Sequence, residues 1–271
     1  TWKWPCLFAR QQGAEVIEIP IYDPATNYKL TPQALEQAVD ERTAIIYIVD
    51  PNNPLGICYS REEIEAFSAI ARRCGALLVQ DCTYRDFATG HYPALAVTTE
   101  NTVMSMSFSK WLGLAGLRVG AFVAAPDLAA EIAGWSTGVL GGSVIAQRAA
   151  MAGLAVKPGW METVRAINST NQAMIRQASE AQGFVLPVWP SHGNFLVIET
   201  IGAGIRPEAL VAAAKRHGIM IRQGTYHTGR FGDRFIKVST SVPQAWAETF
   251  CEKLPGLVAE ARTLNDVEAQ F

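Results

Sequence analysis

Three short, mostly apolar runs that each hand over at once to a polar loop constrain this chain more than any other feature. Ala44 to Val49 leads into Asp50-Pro51-Asn52-Asn53-Pro54-Leu55-Gly56, Ala76 to Gln80 into Asp81, and Thr102 to Met106 into Ser107 to Lys110. Short runs with little alternation suit strands covered on both faces, the pattern of a parallel sheet. Between the first two runs the sequence predicts a helix. Ser60-Arg61-Glu62-Glu63 forms a capping box, Ile64, Phe67, Ile70, Ala71 and Cys74 recur at helical spacing, and Gly75 closes the helix. Strands linked by helices build an α/β fold, in which ligands gather outside the carboxyl ends of the strands. The three polar loops are therefore expected on one rim of one mainly parallel sheet.

Other stretches extend this reading. Ala14 to Ile19 reads as one more strand. Val144 to Leu154 and Trp160 to Gln182 read as helices, the second long enough to join two domains. Beyond them Phe184 to Trp189, Asn194 to Glu199, Ile219 to Arg222 and Phe235 to Ser239 alternate like strands. Pro207 to Gly218 and Gln244 to Arg262 read as helices. The expected organisation is a large domain over 1–160, followed by a linking helix and a small α+β domain over 161–271.

Composition narrows the function. With 49% hydrophobic and 18% charged residues in 271, the chain buries a core. A net charge of -2 without a Lys/Arg cluster argues against nucleic acid or a polybasic membrane contact. No apolar run approaches the roughly 18 residues of a membrane span. Cys6, Cys58, Cys74, Cys82 and Cys251 form no CxxC pair, so no metal site is expected and a reducing cytoplasm is the simplest location. Cys82 reads as a small buried hydrophobe.

The chemistry concentrates in SFSKWLGLAGLRVG, Ser107 to Gly120. Two hydroxyls, a lysine and an arginine in a Gly-rich turn suit a phosphate monoester that also bears an aldehyde. This segment resembles the cofactor-lysine motif of fold-type I pyridoxal-phosphate aminotransferases of class I/II, nearest to the histidinol-phosphate aminotransferase group. Asp50 to Gly56, DPNNPLG, is similar to the NPNNPTG stretch of that family, and Asp81 to Phe87, DCTYRDF, to its DExYxxF stretch, in the same order. The resemblance implies a large domain with a mainly parallel central sheet and helices on both faces. It also implies pyridoxal 5'-phosphate as cofactor, an amino acid and a 2-oxo acid as substrates, and a homodimer.

Carried over residue by residue, the resemblance makes Lys110 the Schiff-base lysine and the base that moves the substrate's α-proton. Asp81 would pair with the pyridine nitrogen, while Asn53 and Tyr84 would hydrogen-bond the phenolic oxygen. Ser107, Ser109 and Arg118 would hold the phosphate. Trp2 would stack on the ring, with Trp4 as the alternative.

Substrate recognition departs from the family. Relatives bind the substrate carboxylate through an arginine in a motif like FLRISIG, whereas this chain has FIKVST with Lys237 in that place. Lysine offers a point charge where arginine offers a bidentate fork, so Arg222 or Arg230 would assist, with Asn194 nearby. His192 reads as structural. Aminotransfer is the expected reaction. The alternatives are a decarboxylase or lyase on the same scaffold, and an effector-sensing domain of a transcription regulator. The family also has an N-terminal arm and a Gly-rich helix start ahead of the Trp2 position, which implies a protein roughly 80 to 110 residues longer.

Overall fold

The structure is a computed structural model that describes residues 2–135, 141–265 and 267. In chain order its helices and strands are α1 (Trp4–Gln11), α2 (Pro32–Ala38), β1 (Ile45–Val49), α3 (Arg61–Cys74), β2 (Leu77–Asp81), β3 (Thr102–Ser107) and β4 (Gly120–Val123). They continue with α4 (Pro126–Trp135), α5 (Val144–Glu180), β5 (Phe195–Glu199), α6 (Pro207–Arg216), β6 (Arg222–Gln223), β7 (Phe235–Ser239) and α7 (Gln244–Ala261). The chain divides into two compact units: Ile17–Asn52 with Ile57–Glu162, and Thr1–Val16 with Asn53–Gly56 and Thr163–Phe271.

The first unit is built on a four-stranded sheet in the order β1-β2-β3-β4. Three strands run parallel and β4 returns antiparallel. Ile46, Ile48, Leu78, Gln80, Thr102 and Met104 share one face and are buried. The opposite face carries Tyr47, Asp81 and Ser105 half-buried. Helix α3 packs on β2 through Ile64, Phe67, Ile70 and Ala71. Its start is fixed as the sequence predicts, for Ser60 Oγ accepts from the Glu63 N–H and the Glu63 carboxylate accepts from the Ser60 N–H. Gly75 ends it in the left-handed region, at φ 73°. At the other end of the sheet all of β4 is exposed, including Phe122 at 68%.

The second unit holds the antiparallel sheet β5-β7-β6. Helices α6 and α7 pack together and close a core that includes Leu196, Ile198, Leu210, Ile236, Phe250 and Leu254.

Several elements differ from the sequence reading. Ala14 to Ile19 forms no strand: neither sheet of the described residues includes it, and Ile17 lies 63% exposed. Phe184 to Trp189 is reduced to one bridge, Val185 with Glu199; Pro187, which offers no ladder donor, falls inside it. Ile219 to Arg222 shrinks to the two residues of β6. The two helices expected around Pro158 and Gly159 are one helix, α5. An interior proline costs about 3 kcal/mol of helix stability, but contacts on either side hold the axis. Lys157 pairs with Asp86, the Trp160 indole donates to Trp111 O at 2.6 Å, and Met161 is buried. Helices α1, α2 and α4 and strand β4 were not anticipated.

Removing the cap should be felt locally. Ser60→Ala is expected to cost about 1 kcal/mol, read as a lower urea midpoint with unchanged circular dichroism.

Candidate active site

Parallel pairing decides what stands at the rim of the four-stranded sheet. With Val49 opposite Asp81 and Asp81 opposite Ser105, the three strands deliver their polar successors to one rim, Asp50 buried there and Asp81, Ser107 and Ser109 half-buried. Asp81 closes β2. Its Oδ1 accepts from the Thr83 N–H at 3.0 Å and the Thr83 hydroxyl at 2.7 Å, and its Oδ2 accepts from the Tyr47 hydroxyl at 2.9 Å. Tyr84 follows, buried, its phenol pushed up by desolvation and secondarily by the Asp81 charge.

One strand over, β3 ends at Ser107, whose Oγ accepts from the Ser109 N–H at 3.1 Å. Lys110 comes next. Its side chain reaches solvent, yet enough protein crowds it that desolvation, and then the Arg118 charge, hold the amine below the usual lysine range. Arg118 sits in the left-handed region at φ 51°, and its Nη1 donates to Ala115 O at 2.8 Å. The backbone after Lys110 is pinned by buried Trp111, which Phe108 meets at 5.7 Å and over which Lys157 lies at 4.6 Å. Leu112 lies against Gly153 of α5, where any Cβ would collide with it.

Behind this rim is a buried polar network that motif reading missed. Asp50, fully buried, accepts from the Tyr59 N–H at 3.1 Å and from Gln80 Nε2 at 2.9 Å, with His91 Nε2 at 3.4 Å from its Oδ2. Gln80 also donates to Tyr92 O and accepts from the Ala94 N–H. Burial raises the Asp50 carboxyl and lowers the His91 ring, each opposed by the charge of the other. The signal available in sequence was a glutamine inside an apolar run; His91 gave none.

The other unit gathers a different set. Lys237 on β7 donates to Asn53 Oδ1 at 2.6 Å and lies 3.8 Å from the centre of the Phe195 ring. Arg222 is its register partner on β6 and stacks over Tyr226 at 4.9 Å. Asn194 is engaged elsewhere, its Nδ2 donating to Ser241 Oγ at 2.7 Å. His192 contributes a backbone bond to Gly56 O. Trp2 is half-buried just ahead of α1, and Trp4 is the first residue of that helix. Arg230 is exposed. His227, in the Gly-, Tyr- and His-rich stretch 224–232 whose composition suggests a flexible substrate loop, is instead buried with no hydrogen-bond partner for Nε2; burial, then the Lys237 charge, push its ring down to about 3. So the structure brings Lys110 to Arg118, Asp81 to Tyr84, Ser107 to Ser109 and Lys237 to Asn53, and does not join Asn194 to Lys237 by a hydrogen bond.

The donor set on the four-stranded unit fits a phosphorylated aldehyde. Hydroxyls and a guanidinium suit the phosphate, an amine held below its usual range suits the aldehyde carbon, and a fixed acid suits a protonated ring nitrogen.

Two measurements check these environments. Gln80→Leu strands the Ala94 N–H and an Asp50 oxygen, so unfolding free energy should fall by about 3 kcal/mol in urea titrations. At His227 the unfolded chain takes up a proton near the usual 6.5, and the folded chain only near 3. Stability therefore falls as pH drops through that window, by up to about 1.4 kcal/mol per pH unit. A pH series of urea midpoints should show a shallower decline for His227→Phe than for the parent.

Comparison with known proteins places the chain. The sequence profile of the family described as aminotransferase class I and II matches residues 7–254. A histidinol-phosphate aminotransferase from Shouchella clausii is 28% identical over 94% of this chain and 66% of its own length. One from Rhodospirillum centenum is 31% identical over 81% of this chain and 60% of its own. Among solved structures, an aspartate aminotransferase mutant of Thermus thermophilus complexed with tryptophan superposes with a TM-score of 0.83 at 20% identity, covering 94% of this chain and 67% of that one. The chain thus spans about two-thirds or less of the length of these curated relatives, and it belongs to the aminotransferase class I and II family.

Proposed function

We propose that this member of the aminotransferase class I and II family carries the catalytic part of a pyridoxal-phosphate enzyme that moves an amino group between an amino acid and a 2-oxo acid. The observation that carries the proposal is the parallel register of β2 and β3, Asp81 opposite Ser105, which sets Asp81 on the same sheet rim as the Ser107-to-Lys110 turn. Pyridoxal phosphate, when bound, supplies an electron-poor ring that accepts the electron pair left when a bond to the substrate's α-carbon breaks.

The chain's residues do the rest. Lys110 would be the amine that holds the aldehyde and, once free, the base that would move the substrate's α-proton. Neutrality matters, because only an unprotonated amine serves as nucleophile and base, and the crowding around Lys110 favours that form. When the cofactor is bound, Asp81 would pair with the pyridine nitrogen, Ser107, Ser109 and Arg118 would hold the phosphate, Asn53 and Tyr84 would hydrogen-bond the phenolic oxygen, and Trp2 would stack on the ring. Lys237, Arg222 and Asn194 receive the substrate carboxylate. The proposal extends to a homodimer in the cytoplasm, as family membership implies. No helix among the described residues is long and apolar enough to cross a membrane, in keeping with small-molecule chemistry.

Decarboxylation is the second reading, favoured by one observation. Lys237 spends a hydrogen bond on Asn53 and has no guanidinium fork, which leaves a carboxylate less firmly held in one plane. With the cofactor bound, a carboxylate held loosely by Lys237 would be freer to turn, which would favour its loss as carbon dioxide.

Borohydride reduction of the cofactor-loaded protein, followed by peptide mass spectrometry, should place the label on Lys110. Lys110→Ala should lose the label and at least ~10²-fold of turnover. Amino donors should convert the absorbance of bound pyridoxal to that of pyridoxamine, while release of carbon dioxide would establish the second reading. A label on any other lysine overturns both.

A further inference from the structure

We propose that Tyr47, acting with Thr83, is a positioning clamp that selects which oxygen of Asp81 meets the cofactor's ring nitrogen; the role rests on the function proposed above. Strands β1 and β2 pair in parallel with Tyr47 opposite Val79 and Val49 opposite Asp81. Residues two apart on a strand share a face, so Tyr47 and Asp81 rise from the same side of the sheet, diagonal to each other. A diagonal neighbour is within reach of an aromatic side chain, and the Tyr47 hydroxyl arrives 2.9 Å from Asp81 Oδ2. That side carries Tyr47, Val79, Asp81 and Ser105 half-buried and Val49 and Val103 buried, while Ile46, Ile48 and Leu78 are buried on the other. From the same face of the sheet Tyr47 brings its hydroxyl to the acid at the rim.

Counting acceptor directions gives the clamp its consequence. An ionised carboxylate has about four lone-pair directions, two on each oxygen. Thr83 takes both directions of Oδ1, with its N–H at 3.0 Å and its hydroxyl at 2.7 Å. Tyr47 takes one direction of Oδ2. One direction on Oδ2 is left, so a ring N–H is received by the oxygen that Tyr47 holds, in a carboxylate plane fixed from both ends. Without the phenol the carboxylate pivots about its Thr83 anchor, and Oδ2 loses its preferred aim. Nothing in the DCTYRDF motif marks Tyr47, which lies on another strand 34 positions away from Asp81.

The test uses the full chain loaded with pyridoxal phosphate labelled with nitrogen-15 in the ring. Parent protein should show the protonated-ring nitrogen signal. Tyr47→Phe should move that signal toward the unprotonated position and weaken cofactor binding at least about tenfold, the lower end of the worth of one hydrogen bond to a charged group. Its thermal midpoint should stay near the parent's, since the phenyl ring is kept. Thr83→Val, which removes one of two donors to Oδ1, should shift the signal in the same direction by less, and it carries the test if Tyr47→Phe does not fold. A parent signal retained unchanged in either folded variant, with unchanged cofactor affinity, overturns the clamp and leaves the function intact. A parent protein that takes up no cofactor, or shows no protonated ring, overturns both.

Discussion

Parallel backbone pairing of β1, β2 and β3 is the constraint on which the rest of the first unit depends. Because the three strands share a direction and end level, every polar residue that follows them is delivered to one edge of the sheet. Polar groups so near a core must be satisfied. Asp50 and Gln80 meet that demand on the buried side, each making hydrogen bonds to backbone as well as to the other. On the open side Asp81 is met by Tyr47 and Thr83. The same strands that form the core thus hold two acids in two environments, one sealed and one presented.

Local signals were legible in sequence to the extent that they were local. The cap and close of α3 are decided within four residues at each end, and Ser60, Glu63 and Gly75 act as their types require. The strands β1, β2 and β3 follow from apolar runs too short for helices. Where the sequence misled, a tertiary term outweighed a local one. Ala14 to Ile19 has the composition of a strand but joins neither sheet of the described residues, and Pro158 looks like a helix end until Trp160 and Lys157 are seen anchored to Trp111 and Asp86.

The candidate site divides in the same way. Lys110, Asp81, Ser107 and Arg118 are singled out by motifs whose order can be read along the chain. Tyr47, Thr83, Gln80 and His91 are not, since their roles follow from strand register and from hydrogen bonds made across it. Asn53 marks the limit most clearly. Its motif is plain, yet nothing in the sequence announces that its amide oxygen accepts from Lys237, 184 positions away.

Strand β4 ends the sheet with Gly120, Ala121, Phe122 and Val123 all exposed, and its outer row of N–H and C=O groups faces away from β3. An apolar edge of this kind is a template for whatever extended segment meets it first, and natural sheets normally blunt such edges with charge, proline or a covering element. None of the four residues supplies charge or a kink. A strand laid against this margin would find backbone donors and acceptors together with an apolar surface at Phe122 to receive it.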